Sequence, residues 1–282
     1  MEYGTDILSL LQSFELQRVA WLKKFGLIAL IVVLLNILFF IKFRSNFLPS
    51  LLFGFIILVG SYYILNTKYK KQLQNALIPK LIEKVDPNFR WEKDKKIDIE
   101  LLNRLKIFSH KIETITSDGE VILQDAGKKV NLSFVILESM KIDTEEGEHF
   151  TKRFDGLIIE LKLGKNYNQK YLLGEGEKRA EFEAGDYINP PYMGLKFVGS
   201  FGDFSLYSED GESRLEDTIV QKLIEFKKEN KKDFWAIFEK DRVYILVDDM
   251  HNTLEFSLFQ TLETQNFILE YVKLLKNVKK LI

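Results

Sequence analysis

The chain has 282 residues, of which 46% are hydrophobic, and its 40 basic side chains nearly balance its 41 acidic ones. This balance argues against a nucleic-acid-binding protein, which normally carries a clear basic excess, so nucleic acid is not expected as a ligand. No cofactor is expected either, because Gly174 and Gly176 lack the third glycine of a dinucleotide fingerprint, and Gly194, Gly199 and Gly202 lack the Lys-Ser/Thr of a P-loop. The absence of cysteine excludes disulfide bonds, thiolate metal sites and cysteine nucleophiles.

Two apolar runs dominate the N-terminal part of the chain. Residues 25–41 and 47–65 carry no charge, and as helices they span about 25 and 28 Å, close to the hydrocarbon thickness of a bilayer. The five residues between them suit a tight turn. We therefore predict a transmembrane helical hairpin over residues 23–66. The alternatives are a buried hairpin in a soluble protein or a signal peptide, but no small-residue cleavage site follows the first run.

The basic residues that flank these runs predict the orientation of the hairpin. Lys and Arg resist translocation, so the flanks richer in them stay in the cytoplasm. The loop between the runs carries only Lys42 and Arg44, whereas the outer flanks carry Arg18, Lys23, Lys24, Lys68, Lys70 and Lys71. This asymmetry predicts a multi-pass protein with both termini in the cytoplasm.

Helical patterns lie on both sides of the hairpin. Residues 1–22 are predicted to form an amphipathic helix, whose apolar face could pair with a second copy or rest on lipid, so a homo-oligomer is possible. In the first run, Asn36 is expected to contact the second helix or another subunit. Residues 67–85 are predicted to form a juxtamembrane helix that Pro79 kinks or interrupts.

Residues 86–282 are predicted to form a cytoplasmic α+β domain with a mostly antiparallel sheet. A short helix is expected near 97–105, after which apolar residues alternate in the manner of strands. Lys240-Asp241 is predicted to be the turn of a hairpin. Ser213 to Glu216 form a capping box that predicts an internal helix up to about Asn230, and a last helix is expected from about Glu263 to the end of the chain.

The densest collection of possible catalytic or metal-binding side chains follows a predicted strand. It consists of Asp248, Asp249, His251 and Glu255. A membrane-tethered hydrolase that uses this region is one hypothesis, since carboxylates and imidazole supply acid-base chemistry. Acidic residues after a strand more often form a solvated turn, so neither a metal nor a catalytic centre is assigned, and a non-enzymatic role is favoured.

The last predicted helix carries a basic face. Its lysines are neighbours on one arc and could contact anionic lipid or a protein partner: Lys273, Lys276, Lys279 and Lys280. The opposing interpretation is that these lysines form the solvated face of a helix whose apolar arc packs on the sheet. We expect the apolar arc of this helix to pack on the sheet.

The order of these features resembles a family of bacterial membrane proteins. The residues that carry the resemblance are Phe14-Glu15-Leu16-Gln17-Arg18 before the hairpin, Leu77-Ile78-Pro79-Lys80-Leu81 after it, and Phe204-Ser205-Leu206-Tyr207-Ser208, Val243-Tyr244-Ile245 and Leu254-Glu255-Phe256 in the soluble part. The family is catalogued as domain of unknown function 3137. The resemblance implies a bacterial inner or plasma membrane location, and the family has no assigned activity or catalytic residues.

The sequence thus favours a membrane-anchored cytoplasmic interaction module that binds a protein partner or the membrane surface. The first alternative is the tethered hydrolase described above. The second alternative is a small structural subunit of a membrane assembly that oligomerises through residues 5–22 and the membrane helices.

Overall fold

The computed structural model describes residues 5–43, 47–108, 110–125, 127–143, 147–175, 193–215, 217–248, 258–262 and 266–282. The chain divides into two compact units. The first, the helical unit, comprises Met1–Lys84 and Leu254–Glu270. The second, the sheet unit, comprises Val85–Thr253 and Tyr271–Ile282.

The described part of the chain contains helices and antiparallel strands. The helices are α1 (Thr5–Phe43), α2 (Phe47–Val85), α3 (Ile99–Leu105), α4 (Asp217–Asn230) and α5 (Asn266–Leu281). The strands are β1 (Phe89–Glu92), β2 (Thr114–Asp125), β3 (Lys128–Asp143), β4 (Gly147–Glu175), β5 (Lys196–Phe201), β6 (Phe204–Ser208) and β7 (Phe234–Asp248). This architecture confirms the predicted α+β class, with a helical hairpin at the N-terminus and a helix at the C-terminus.

The two helices of the hairpin are each 39 residues long and have two different halves. Their polar halves pack together, and the buried residues there include Leu11, Phe14, Leu73 and Leu77. Their apolar halves are long and hydrophobic enough to cross a membrane. In the most apolar stretch of 18 residues in each helix, only 6% of the stretch is buried. The helix α2 continues through Pro79 to Val85, so of the two predicted effects of this proline, a kink or an interruption, the interruption does not occur.

A polar contact joins the apolar halves of the hairpin, as predicted for Asn36. The Ser50 hydroxyl donates to Asn36 Oδ1 at 2.6 Å, and Asn36 Nδ2 donates to the carbonyl of Val32 at 2.9 Å. A Cβ atom at Gly54 would lie 2.4 Å from Asn36 Nδ2, so glycine at this position lets the helices approach closely.

Among the described residues of the sheet unit, seven strands form one antiparallel sheet in the order β1-β2-β3-β4-β6-β5, and β7 pairs with β4 outside this order. The long strand β4 pairs with β7 from Gly156 to Gly174. It pairs with β3 along its first half and with β6 at its end. The pair β4 and β7 therefore connects the two halves of the sheet.

The predicted hairpin at Lys240-Asp241 is wrong, because β7 continues through these residues. Both halves of β7 pair with β4, and the register shifts between Lys162 and Tyr171. Lys240 has a left-handed backbone with φ of 54°, which is typical of a bulge. The bulge changes which side chains face each side: Trp235 and Ile237 share a core cluster with Tyr244 and Leu246.

Apolar residues cover both faces of the sheet. On one face, that core cluster includes α3 residues such as Leu102 and Leu105. On the other face, the ring of Tyr271 in α5 lies 5.7 Å from that of Phe134 in β3, and Phe226 in α4 contacts Phe234 in β7. The apolar arc of α5 therefore packs on the sheet, as expected. The internal helix α4 begins at Asp217, later than the capping box predicts. The Ser213 hydroxyl donates to the Asp210 carboxylate instead of capping the helix, and Glu216 lies outside the described residues.

We expect Tyr271→Phe to stabilise the sheet unit by about 1 kcal/mol, because it removes a buried hydroxyl that has no hydrogen-bond partner among the described residues. Burial raises the pKa of Tyr271, in accord with an apolar environment. The matched change Tyr244→Phe should be destabilising, since the phenol of this buried residue interacts with the side chain of Arg242. Urea unfolding of the full chain in detergent micelles measures both. A loss of stability in Tyr271→Phe would show that its hydroxyl has a partner.

Candidate interaction surfaces

Asp248 is the one member of the predicted catalytic cluster that lies among the described residues. Asp248 is the half-buried last residue of β7, and it pairs in the sheet with Gly156. Asp249, His251 and Glu255 lie outside the described residues. No group of three or more potential metal ligands occurs in the described ranges of the chain. The hydrolase hypothesis therefore stays a prediction from sequence.

The four lysines of α5 have different environments. Lys276 is exposed and Lys273 is half-buried. Lys280 Nζ lies 2.5 Å from Glu229 Oε1 of α4, and Lys279 forms an ion pair with Asp86. Next to these pairs, Asn277 Nδ2 donates to Asn230 Oδ1 at 3.1 Å. Two of the four lysines thus contribute contacts within the sheet unit, and Lys276 presents its side chain to solvent.

The ion pair of Asp86 and Lys279 joins the start of the sheet unit to α5. Asp86 is a buried residue whose Oδ1 also accepts the backbone N–H of Asn88 at 2.8 Å. The hydrogen bond from Lys279 lowers the pKa of Asp86 despite the opposing effect of burial. The same hydrogen bond and the Asp86 charge raise the pKa of Lys279.

We expect this ion pair to make stability depend on pH at both ends of the scale. The lowered pKa of Asp86 contributes stability above its unfolded value of about 3.9, and this stability is lost as the pH falls through the folded value. The raised pKa of Lys279 contributes stability below its unfolded value of about 10.4, which is lost as the pH rises through the folded value. The free energy of unfolding of Lys279→Met, measured in urea, should depend less on pH than that of the unchanged protein at both the acidic and the alkaline end of the scale. An unchanged pH profile would contradict this pairing.

A depression of about 410 Å³ in the sheet unit collects charged residues of both signs. Arg242 forms an ion pair with Glu160 and lies 3.7 Å from Asp241 Oδ1. Burial raises the pKa of the Tyr244 phenol, and the charge of Glu160 adds to this effect. The lining residues are Lys96, Ile97, Asp98, Leu101, Arg104, Glu160, Glu239, Lys240, Asp241, Arg242 and Tyr244. Since Arg242 is already paired with acidic neighbours, this surface does not present it as a free anion-binding group.

In the helical unit, an ion pair on α1 holds a distant part of the chain. We call Glu15 and Arg18 the clamp, and residues 258–262 the strap. Within the clamp, Arg18 Nε donates to Glu15 Oε1 at 2.7 Å. Arg18 Nη1 then donates to the carbonyl of Leu258 at 2.9 Å, and Glu15 Oε2 accepts the backbone N–H of Leu262 at 3.1 Å.

The environment of the clamp is largely buried. The Arg18 side chain is 9% exposed and that of Glu15 is 21% exposed. Burial by itself would raise the pKa of Glu15, but hydrogen bonds from Arg18 and the Leu262 backbone lower it overall. The nearby Tyr69 is buried, and this burial raises the pKa of its phenol. The clamp therefore holds a charged carboxylate that accepts hydrogen bonds from two different parts of the chain.

A further backbone contact and an aromatic cluster complete the strap. The Leu258 N–H donates to Asn66 Oδ1 of α2 at 3.1 Å. The ring of Phe259 stacks on Tyr62 with centroids 5.2 Å apart, and it lies edge-to-face with Phe25 at 5.8 Å. Phe25 and Tyr62 also make an edge contact at 6.0 Å. The strap thus contacts both helices of the hairpin.

Sequence reasoning missed the strap and the clamp. Glu15 and Arg18 are three residues apart, which indicates a local ion pair on a helix, but nothing in that spacing identifies a partner 240 residues away. The signal available in the sequence is the presence of two charged residues, Glu15 and Arg18, on a helix that is predicted to have an apolar face. A buried charge requires partners, so such a position predicts a contact without naming it.

Comparison with known proteins gives a family match over part of the chain. The profile of a family described as "Protein of unknown function (DUF3137)" matches residues 200–282, a range that includes the strap and α5. This match confirms the resemblance for the C-terminal segments that carry it, and residues 14–18 and 77–81 lie outside the matched range. The crystal structure of the mycobacterial trehalose monomycolate transport factor A, TtfA, is similar with a TM-score of 0.34 and 12% identity, over 72% of this chain and 96% of that chain. No curated protein matches.

Proposed function

We propose that this protein is a non-enzymatic interaction module anchored in a bacterial inner or plasma membrane. The hairpin of α1 and α2 crosses the bilayer twice, and both termini lie in the cytoplasm. The sheet unit is tethered at the cytoplasmic side, where it binds a protein partner or the membrane surface. The surface assigned to this contact consists of Lys276 and the other lysines of α5, which are Lys273, Lys279 and Lys280.

The observation that carries this proposal is the contrast between the two halves of the hairpin. Residues such as Leu38, Phe53 and Ile56 are each more than 60% exposed, whereas Leu11 and Leu77 in the polar halves are fully buried. A continuous apolar surface of this size is not stable in water and indicates a lipid or protein covering. The length of each apolar half matches the bilayer, which favours lipid.

Single cysteines introduced into this cysteine-free chain test the orientation. We expect Ser45→Cys to react with a membrane-impermeant maleimide on intact bacterial spheroplasts, since it lies in the loop between the predicted spans. Lys276→Cys should react only after lysis. The opposite pattern would overturn the orientation, and release of the protein from membranes by alkaline carbonate would overturn the anchor.

In-cell photocrosslinking from position 276 tests the interaction. We expect one abundant protein or phospholipid to be captured, and the matched probe at exposed Ser200 in β5 should not capture it. Capture of the same species at both positions would indicate nonspecific proximity. Absence of any species specific to position 276 would overturn the assignment of this surface.

A further inference from the structure

Phe259 is an exposed aromatic residue on an otherwise well-anchored segment. Its exposed fraction is 56%, whereas Leu258 and Leu262 on the same strap have no exposed surface. Both backbone polar groups of Leu258 are hydrogen-bonded to the hairpin, and so is the N–H of Leu262. The strap is therefore held so that the Phe259 ring packs on Tyr62 and Phe25 while more than half of its surface stays exposed.

The position of this ring along the hairpin coincides with the ends of the apolar runs. Phe25 is the first residue of the first run, and Tyr62 lies near the end of the second. Arg18 precedes Phe25 by about 10 Å along the helix axis, and Asn66 follows Tyr62 by about 6 Å. The polar contacts of the strap thus lie on the water-facing side of the aromatic cluster.

Neighbouring side chains have the character of a membrane interface. Lys24 Nζ lies 4.5 Å from the ring centre of Trp21, one turn before Phe25. Aromatic rings and long basic side chains are enriched at the depth of lipid headgroups, where the ring is covered and the charge stays hydrated. The apolar residues Leu27 and Ile64, two residues beyond Phe25 and Tyr62 in the sequence, are also exposed.

We propose that the strap is a third membrane-contacting element, and that Phe259 inserts into the boundary between the lipid headgroups and acyl chains. Together with Phe25 and Tyr62, it forms an aromatic cluster at the cytoplasmic end of the hairpin. This inference rests on the proposed function, because it requires α1 and α2 to cross the bilayer. Residues 258–262 are thereby held at the membrane surface.

Nitroxide labels on single cysteines in the full chain test this insertion. The chain is reconstituted in vesicles of phosphatidylethanolamine and phosphatidylglycerol, and each label is probed with oxygen, which concentrates in the bilayer, and with a water-soluble nickel chelate. The test position is Phe259→Cys. The aqueous control is Phe197→Cys in β5, whose side chain is similarly exposed at 54% and contacts the aromatic ring of Tyr207. The bilayer control is Phe53→Cys on α2, which is 67% exposed.

We expect the ratio of oxygen to nickel accessibility to be several-fold higher at position 259 than at position 197, and lower than at position 53. A second label, at Gln260→Cys, leaves Phe259 in place and therefore serves as a check in case Phe259→Cys disturbs the aromatic cluster. This label should show the same intermediate depth. If position 53 reports lipid but positions 259 and 260 report water, the strap inference is overturned and the anchor is retained. Protection of the strap from both oxygen and the nickel chelate would indicate that protein covers the strap, and this result would also overturn the strap inference. If position 53 reports water, the anchor and the strap inference both fail.

Discussion

Gly174→Ala is expected to destabilise the sheet unit by about 3 kcal/mol, at the upper end of the cost of overpacking a core. A Cβ atom at this position would lie 1.9 and 2.1 Å from ring atoms of Trp235, its partner on β7. The indole is 5% exposed and belongs to the core cluster, so it has little room to move. Urea unfolding of the full chain in detergent micelles, followed by tryptophan fluorescence, measures the loss.

The matched control is Gly164→Ala on the same strand, since an added Cβ there meets no atom within 4 Å. Its effect should be within the small range of surface substitutions, about 0.5 kcal/mol in either direction. The double variant Gly174→Ala with Trp235→Leu should lose less stability than the two single changes together, because the smaller side chain relieves the overlap. Strict additivity would show that the overlap with Trp235 is not the cause.

Arg18→Met is expected to detach the strap, with a loss of about 3 kcal/mol in the helical unit, because it leaves Glu15 largely buried without its ion-pair partner. It also removes the donor to the Leu258 carbonyl. Hydrogen exchange of the full chain in lipid vesicles measures the effect at the Leu258 and Leu262 amides. Both amides should exchange much faster in the variant, while amides of the sheet unit such as Ile245 should keep their protection.

The control for Arg18 is an exposed ion pair in the same unit. Lys84 and Asp6 lie 3.8 Å apart, with side chains that are 50% and 76% exposed. Lys84→Met should therefore cost less than about 1 kcal/mol and leave exchange of the strap unchanged. Equal effects of Arg18→Met and Lys84→Met would show that removal of any basic residue loosens the unit, and would contradict a specific role for the clamp.

The helical parts of the fold were predictable because helices depend on patterns within a few residues. The uncharged runs that place α1 and α2, and the apolar spacing that places α3 and α4, are visible in the sequence. The contact of Asn36 with the second helix was also predictable, since an amide in an apolar segment requires a partner. Helix ends were less accurate, as the later start of α4 at Asp217 shows.

The pairing of the strands was less predictable because local pattern does not identify a partner strand. Lys240-Asp241 between two apolar runs indicates a turn, yet both runs pair with β4. A left-handed residue can serve either a hairpin turn or a bulge, and the neighbouring strand decides which of the two forms. The same limit applies to Gly164, which is typical of a turn but lies within β4.

The sequence alone determined the helical hairpin, the α+β class and the resemblance to a family, since periodicity, charge and apolar length are local properties. Only the tertiary structure decided that β7 is one strand along β4, that Lys279 and Lys280 pair within the sheet unit, and that the clamp holds the strap. These contacts join residues far apart in the chain. Their free energy comes from burying and pairing groups that meet only after folding, so no local pattern specifies them.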